Sequence, residues 1–391
     1  MRRYLTSLVL AFASTGGAAA AQDVWEDEGG IETEVTAEAA IVLAPDSDEA
    51  FLYTARGGFG ANYVLQNGAE IGLRVSGGVD MDHPARLGFS GNIGPVTPVQ
   101  GPAGAFSGLA RGPGPLDAGP RGRLETSYIY MDGGYGEARL GLDEGVAARF
   151  FEGAPSLFRH AGLANAGLDP AGQALARTDH DLTGPSLKVS YATPRILGVR
   201  AGVSVTPEAN ASGLDRDPVG GAARPDIENA VEAALSVTRR LPRSGVRLRA
   251  AAAYSEADAA LSAAPALYDT VETWSAGGSV EFSWGAFGTS YLSSNNGFAL
   301  GGSDYSALSA ALRMTFGDID TGLEFANAED EAIGAESEAV GLSLAREIGD
   351  NLRVAGGWQW RDTRYTGNIL PAPPSLRERS DGIVIEITLL R

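Results

Sequence analysis

The side chains that could carry chemistry are few in kind. The chain has no cysteine and three histidines, His83, His160 and His180. A disulfide framework, a thiol nucleophile and a thiolate metal site are all excluded. The histidines lie far apart, each in a segment without periodic patterning, and no two share ligand spacing on one strand. No imidazole metal centre is expected, no Ser–His–Asp set emerges, and each histidine reads as an exposed loop residue. Neither a catalytic residue nor a cofactor is assigned. What remains is charge. Asp and Glu number 49 against 30 Lys and Arg, a formal net charge of −19, which argues against nucleic acid as a partner. The charges are also ordered. Arg74, Arg139, Lys188, Arg200, Arg247, Arg249 and Arg353 each oppose the apolar face of an alternating run, as do Glu32, Glu34, Glu70, Glu137 and Glu324. The chemistry on offer is therefore electrostatic: a one-sided, charged surface made by many strands.

The elements that present this surface follow from the same alternation. The first residues read as a secretory signal over 1–21. Arg2 and Arg3 precede an apolar run, and Ala19-Ala20-Ala21 stands before Gln22. That run is too short to span a bilayer, which takes about 20 residues, and no later segment is apolar enough for a spanning helix. A membrane-spanning form of residues 22–391 has to be a closed barrel, since backbone polar groups cannot face lipid unpaired.

Period-two alternation begins at Ile31, Thr33, Val35, Ala37, Ala39 and Ile41 and recurs to the end of the chain. Turn signals punctuate it: Asn67-Gly68, Asp132-Gly133-Gly134, Thr193-Pro194-Arg195, Gly317-Asp318 and Ile348-Gly349-Asp350-Asn351. Sixteen strands are predicted, with tight turns alternating strictly with longer loops. The last strand places Ile383, Ile385 and Ile387 on one face and Glu386 on the other. Residues 83–121, rich in Gly and Pro, read as a long external loop, and 329–336 as an acidic loop. Tyr128, Tyr130, Trp284, Tyr291, Phe316, Phe325, Trp358 and Trp360 are candidates for interfacial aromatic belts. One insert, 143–184, separates the strand ending Arg139-Leu140-Gly141-Leu142 from the next. An unpatterned stretch of that length is uncommon in a compact soluble domain, and it makes sense inside a lumen enclosed by the strands.

The strand ending Arg139-Leu140-Gly141, the long insert, and the return through Ser186-Leu187-Lys188-Val189-Ser190-Tyr191-Ala192-Thr193-Pro194 resemble the fifth and sixth strands of Gram-negative general porins. The resemblance implies an all-β, 16-stranded antiparallel transmembrane barrel in the outer membrane, with the third extracellular loop folded inward as a constriction. It also implies a homotrimer, with loop 83–121 latching onto a neighbour, and passive transport of ions and small hydrophilic solutes. In porins, loop carboxylates oppose wall arginines at the narrowest point. Here that implies Glu152, Asp169, Asp179 and Asp181 on the loop against Arg74, Arg139, Arg200 and Arg247 on the wall. Charged residues lining a pore set ion preference, and the net acidity points to a mild preference for cations. Two alternatives remain. A sugar-selective porin would need an inward aromatic track, and a barrel-borne enzyme or adhesin would need a functional set at the rim.

Overall fold

The computed structural model describes residues 30–84, 101–110, 119–209, 224–365 and 376–390. Its strands are β1 (Glu32–Leu43), β2 (Phe51–Val64), β3 (Glu70–Met81), β4 (Arg121–Gly133), β5 (Gly136–Asp143), β6 (Ser186–Ala192), β7 (Val199–Ala209) and β8 (Asp226–Arg240). They continue with β9 (Arg247–Ala260), β10 (Thr270–Phe282), β11 (Gly285–Ser294), β12 (Tyr305–Phe316), β13 (Ile319–Asp330), β14 (Ala335–Ile348), β15 (Leu352–Tyr365) and β16 (Leu376–Leu390). Each pairs antiparallel with its neighbours in sequence. β1 closes on β16 in the register Ile41↔Ile387 and Leu43↔Ile385, giving the sixteen-strand barrel. One short helix, α1 (Val146–Arg149), lies at the start of the insert.

Alternation decides which way each side chain points. On β16 Ile383 is half exposed on the outer surface, whereas Val384, Glu386 and Thr388 are buried against the interior. On β6 Leu187, Val189 and Tyr191 are outward, while Ser186, Lys188 and Ser190 are buried inside. The Asn67-Gly68 hairpin forms as its sequence demands: Gly68 has φ 79°, its N–H donates to Leu65 O at 2.8 Å, and Asn67 Oδ1 accepts from Ala69 N–H at 3.1 Å.

β5 and β6 are the shortest strands, so the insert leaves the wall part-way up and enters the barrel. Wall side chains then hold it. Glu386 accepts three backbone N–H groups, from Arg159 (2.8 Å), His160 (2.9 Å) and Ala161 (3.0 Å). Glu324 accepts Ser156 Oγ–H at 2.8 Å and Leu157 N–H at 3.3 Å. Gln359 donates to Ala161 O at 2.6 Å and Arg353 to Leu157 O at 3.2 Å. The insert is thereby fixed along the inner face of β8–β16. Its Leu163, Leu175, Ala176 and Leu182 join an apolar cluster with wall residues such as Ile227, Val271, Leu292, Tyr305 and Ala328.

Four expectations change. The alternation of turns and loops is not strict, because β13 runs through Glu329 to Asp330 and β14 begins at Ala335, so this loop is as tight as a turn. Asp330 accepts the Ile333 N–H, and Gly334 takes φ 61° to reverse the chain. Within loop 83–121, residues 101–110 are packed into the barrel mouth, with Phe106 and Leu109 buried in the apolar cluster. Their flanks, 85–100 and 111–118, fall outside the described residues. Tyr128 and Tyr130 point inward; Tyr128 is buried beside Arg139, whose guanidinium lies 4.7 Å from its ring centre. His83, His160 and His180 are buried rather than exposed. His160 Nε2 lies 2.9 Å from the Glu38 carboxylate. His180 sits between the hydroxyls of Ser275 (2.8 Å) and Ser255 (2.7 Å), and burial lowers its pKa to about 3, so it is neutral.

Candidate pore constriction

Because the insert lies along β8–β16, open space remains along β1–β5. It forms a cavity of about 570 Å³. The wall lines it with Glu34 (β1), Arg56 (β2), Arg74 (β3), Arg123, Glu125 and Tyr128 (β4), and Arg139 and Asp143 (β5). The insert lines it with Glu144, Arg149, Arg177, Asp179 and Asp181.

Local rules place each of these groups. Arg74 and Arg139 point inward by strand parity. Glu125 does so through an irregularity: the β3–β4 register shifts between Ser76 and Gly77, and Glu125 is the extra residue. A bulge of this kind re-aims a side chain, and Arg56 Nε meets Glu125 at 3.1 Å. Arg123 lies between Asp80 (2.7 Å) and Glu125 (3.1 Å). Arg74 meets Glu34 at 3.2 Å, and both are about half exposed to the lumen, so this pair contributes little stability. Arg139 bonds Asp143 at 3.0 Å and also Glu137, which Arg149 reaches at 3.0 Å and Arg200 at 2.7 Å.

On the insert side, Arg177 Nε lies 3.3 Å from Asp179. Enclosure raises the Asp179 pKa, and Arg177 opposes the rise. Glu144 is exposed to the lumen but walled in. Enclosure, then the carboxylates of Asp181, Asp143 and Asp179, raise it to about 7. The result is a narrow space crossed by fixed charges of both signs. Among the described residues no three His, Cys, Asp or Glu side chains converge as metal ligands.

The residues singled out from sequence separate into two sets. Arg74, Arg139, Asp179 and Asp181 line this cavity together. The other four lie elsewhere. Asp169 is fully buried against Arg361 at 2.6 Å, where it pins the insert to β15. Glu152 is half-buried; enclosure raises its pKa and the charge of Arg249 lowers it. Arg200 is occupied by Glu137 and Thr193 O at the foot of β7. Arg247, first residue of β9, pairs with Glu281 at 3.2 Å beside a turn. Sequence reasoning passed over Arg56, Arg123 and Glu125. Parity could have found Arg56, whereas Glu125 needed the bulge.

A family model described as Gram-negative porin matches residues 6–366. The chain belongs to this family. It is an outer-membrane channel, and the loop-bearing end of the barrel is extracellular, with the short turns on the periplasmic side. Solved porins share the fold. One is OmpF of Salmonella typhi, in complex with daunomycin: TM-score 0.58 at 10% identity, covering 94% of this chain and 99% of that one. An anion-selective porin from Comamonas acidovorans gives 0.57 at 14%, covering 93% and 100%. OprB of Pseudomonas putida gives 0.56 at 10%, covering 92% and 94%. Sequence comparison with curated proteins gives no match.

Proposed function

We propose that this porin is a general diffusion channel for ions and small hydrophilic solutes, with a mild preference for cations. The charged cavity between β1–β5 and the insert carries this reading. The wall brings Arg56, Arg74, Arg123 and Arg139 with Glu34, Glu125 and Asp143, and the insert brings Glu144, Asp179 and Asp181 with Arg149 and Arg177. Such a field polarises the path without forming a recognition surface. Carboxylates and arginines are evenly matched in the cavity, so the preference for cations rests on the chain's net charge of −19. In keeping with general diffusion, Tyr128 and Tyr305 are the aromatic side chains on the cavity among the described residues, while Phe59 points outward on β2.

Residues 1–21 act as the export signal in this reading, and the outward Ile, Leu and Val side chains contact outer-membrane lipid. The working unit is a homotrimer; OmpT of Vibrio cholerae, solved in a trimer form, has the same fold at TM-score 0.56 and 13% identity. Planar-bilayer recording tests the proposal. Ohmic channels with a small cation-directed reversal potential in a salt gradient support it. Entry of sugars into liposomes at rates graded by size supports it further. A channel that passes one solute and rejects others of equal size overturns it in favour of a selective porin.

A further inference from the structure

The β3–β4 loop hangs from strands on one side of the barrel, yet its described segment is seated on the other. β11 and β12 lie eight strands from β3 and β4 around a sixteen-strand barrel, which is the full diameter. Residues 101–110 meet the loop joining β11 to β12. Ala105 N–H donates to Asn296 O at 2.9 Å, and Ser107 N–H to Asn296 Oδ1 at 3.0 Å. Asn296 is itself fully buried, with Nδ2 donating to Ser303 O at 3.0 Å. Tyr268 Oη–H donates to Ala103 O. The segment is compact, closed by Gly108 N–H to Gly104 O at 2.9 Å. A Cβ on Gly104 would stand 2.7 Å from Asn296 Oδ1, so that approach is reserved for glycine. Phe106 and Leu109 are buried among residues of the insert and the far wall, and the Phe106 ring lies 5.6 Å from that of Tyr305. Ser107 and Leu109 also line the charged cavity.

A segment that buries two large apolar side chains in the insert's own core does not lie outside the channel. We infer that residues 101–110 form a second constriction element. The segment closes the β8–β14 side of the mouth and confines solutes to the β1–β5 side, so that Phe106, Leu109 and Asn296 help set the size limit. This rests on the channel reading above.

The test compares wild type with a Phe106→Ser/Leu109→Ser variant and with Asn296→Ala, each checked for a folded barrel by heat-dependent electrophoretic mobility. Detaching the segment is expected to raise single-channel conductance about twofold and to speed the entry of a trisaccharide more than that of a monosaccharide. Phe106→Leu, which keeps an apolar anchor, is expected to restore most of the wild-type behaviour. Folded variants with unchanged conductance and unchanged sugar ranking overturn the inference. Hydrogen exchange on the wild-type protein decides the matter even if the variants do not assemble. The peptide spanning 101–110 should be protected at Ala105 and Ser107, and complete exchange at the earliest time point overturns the inference. A wild-type protein that conducts nothing would refute the channel reading, while the exchange result would still report on the segment.

Discussion

The two halves of the lumen are built from different residues on the same backbone. Along β1–β5 the inward positions are long and charged: Glu34, Arg56, Arg74, Arg123 and Arg139. Along β8–β14 many are small, among them Ala230, Ala234, Ser255, Ala257, Ser275, Ser290, Ala307, Ser309, Ala326, Ala328 and Ala339, all buried, with larger ones such as Val271, Leu292, Tyr305 and Glu324 between them. Where the wall is small the insert lies against it. At the closest points even a methyl group is too large, since a Cβ on Gly277 would stand 2.1 Å from Glu152 O. Where the wall is long and charged, space is left open. Side-chain size along one face therefore positions the insert, and charge on the other side fills what remains. Interior packing is dense enough that such differences of one or two atoms decide where a segment can lie.

The largest break in this contrast comes from moving a charge to the wrong half. Ala307→Arg puts a guanidinium at a buried position in the apolar cluster. Burying an unpaired charge costs several kcal/mol or more, so the variant should fail to assemble or should expel the insert. Thr126→Arg, on the cavity side, should fold and lower conductance. The yield of heat-modifiable barrel and the single-channel current separate the two, and equal yields would remove the distinction between the halves.

Next is the carboxylate that holds the insert. Glu386→Ala leaves the N–H groups of Arg159, His160 and Ala161 without their acceptor. At about 1–3 kcal/mol for each buried orphan, the insert should loosen. The expected readouts are a lower melting temperature together with noisier and larger currents. Unchanged current noise would mean that the apolar cluster alone holds the insert.

A third comparison separates carboxylates that hold the insert from those that face the lumen. Asp169→Asn breaks the buried pair with Arg361 and should cost about 3–5 kcal/mol, as removal of one partner of such a pair does. It should leave the reversal potential nearly unchanged. Asp179→Asn with Asp181→Asn should do the reverse, moving the reversal potential toward anions with little loss of stability. The shift should fade at 1 M salt, where the screening length is about 3 Å. If Asp169→Asn produces the larger shift in selectivity, the assignment of the cavity is wrong.

Much of the barrel was legible in advance because strand parity is a local rule. It placed Glu386, Glu324 and Arg353 inward, predicted the sixteen strands, and located the insert. The constriction was less legible, for physical reasons. The insert has no period, so nothing local tells the buried Asp169 from the lumen-facing Asp179 ten residues on; the difference lies in Arg361, far away in sequence. Glu125 depends on a bulge that parity cannot see. His180 looked like an exposed loop residue because its partners, Ser255 and Ser275, come from two strands of the far wall. The small residues on β8–β14 were visible throughout, but nothing local marks them as the surface against which the insert lies.

The smallest expected effect tests the cavity side by itself. Glu144 stands among Asp143, Asp179 and Asp181, with Lys188 as an opposing charge, and its pKa is raised to about 7. Below that pH the carboxyl is largely protonated and adds no charge to the path. Above it, one more negative charge lines the cavity. The sign follows directly: cation preference should rise as pH goes from about 6 to 8, a range in which an unperturbed Glu, with pKa about 4.3, stays ionised throughout. His180 does not contribute, being neutral well below this range. The measurement is the reversal potential at roughly 0.1 M salt, where the screening length of about 10 Å lets the charge act across the cavity. Glu144→Gln should flatten the pH dependence and hold the channel at its low-pH selectivity. If the wild-type curve is already flat between pH 6 and 8, Glu144 is ionised throughout, and the cavity is wetter and less enclosed than its walls imply.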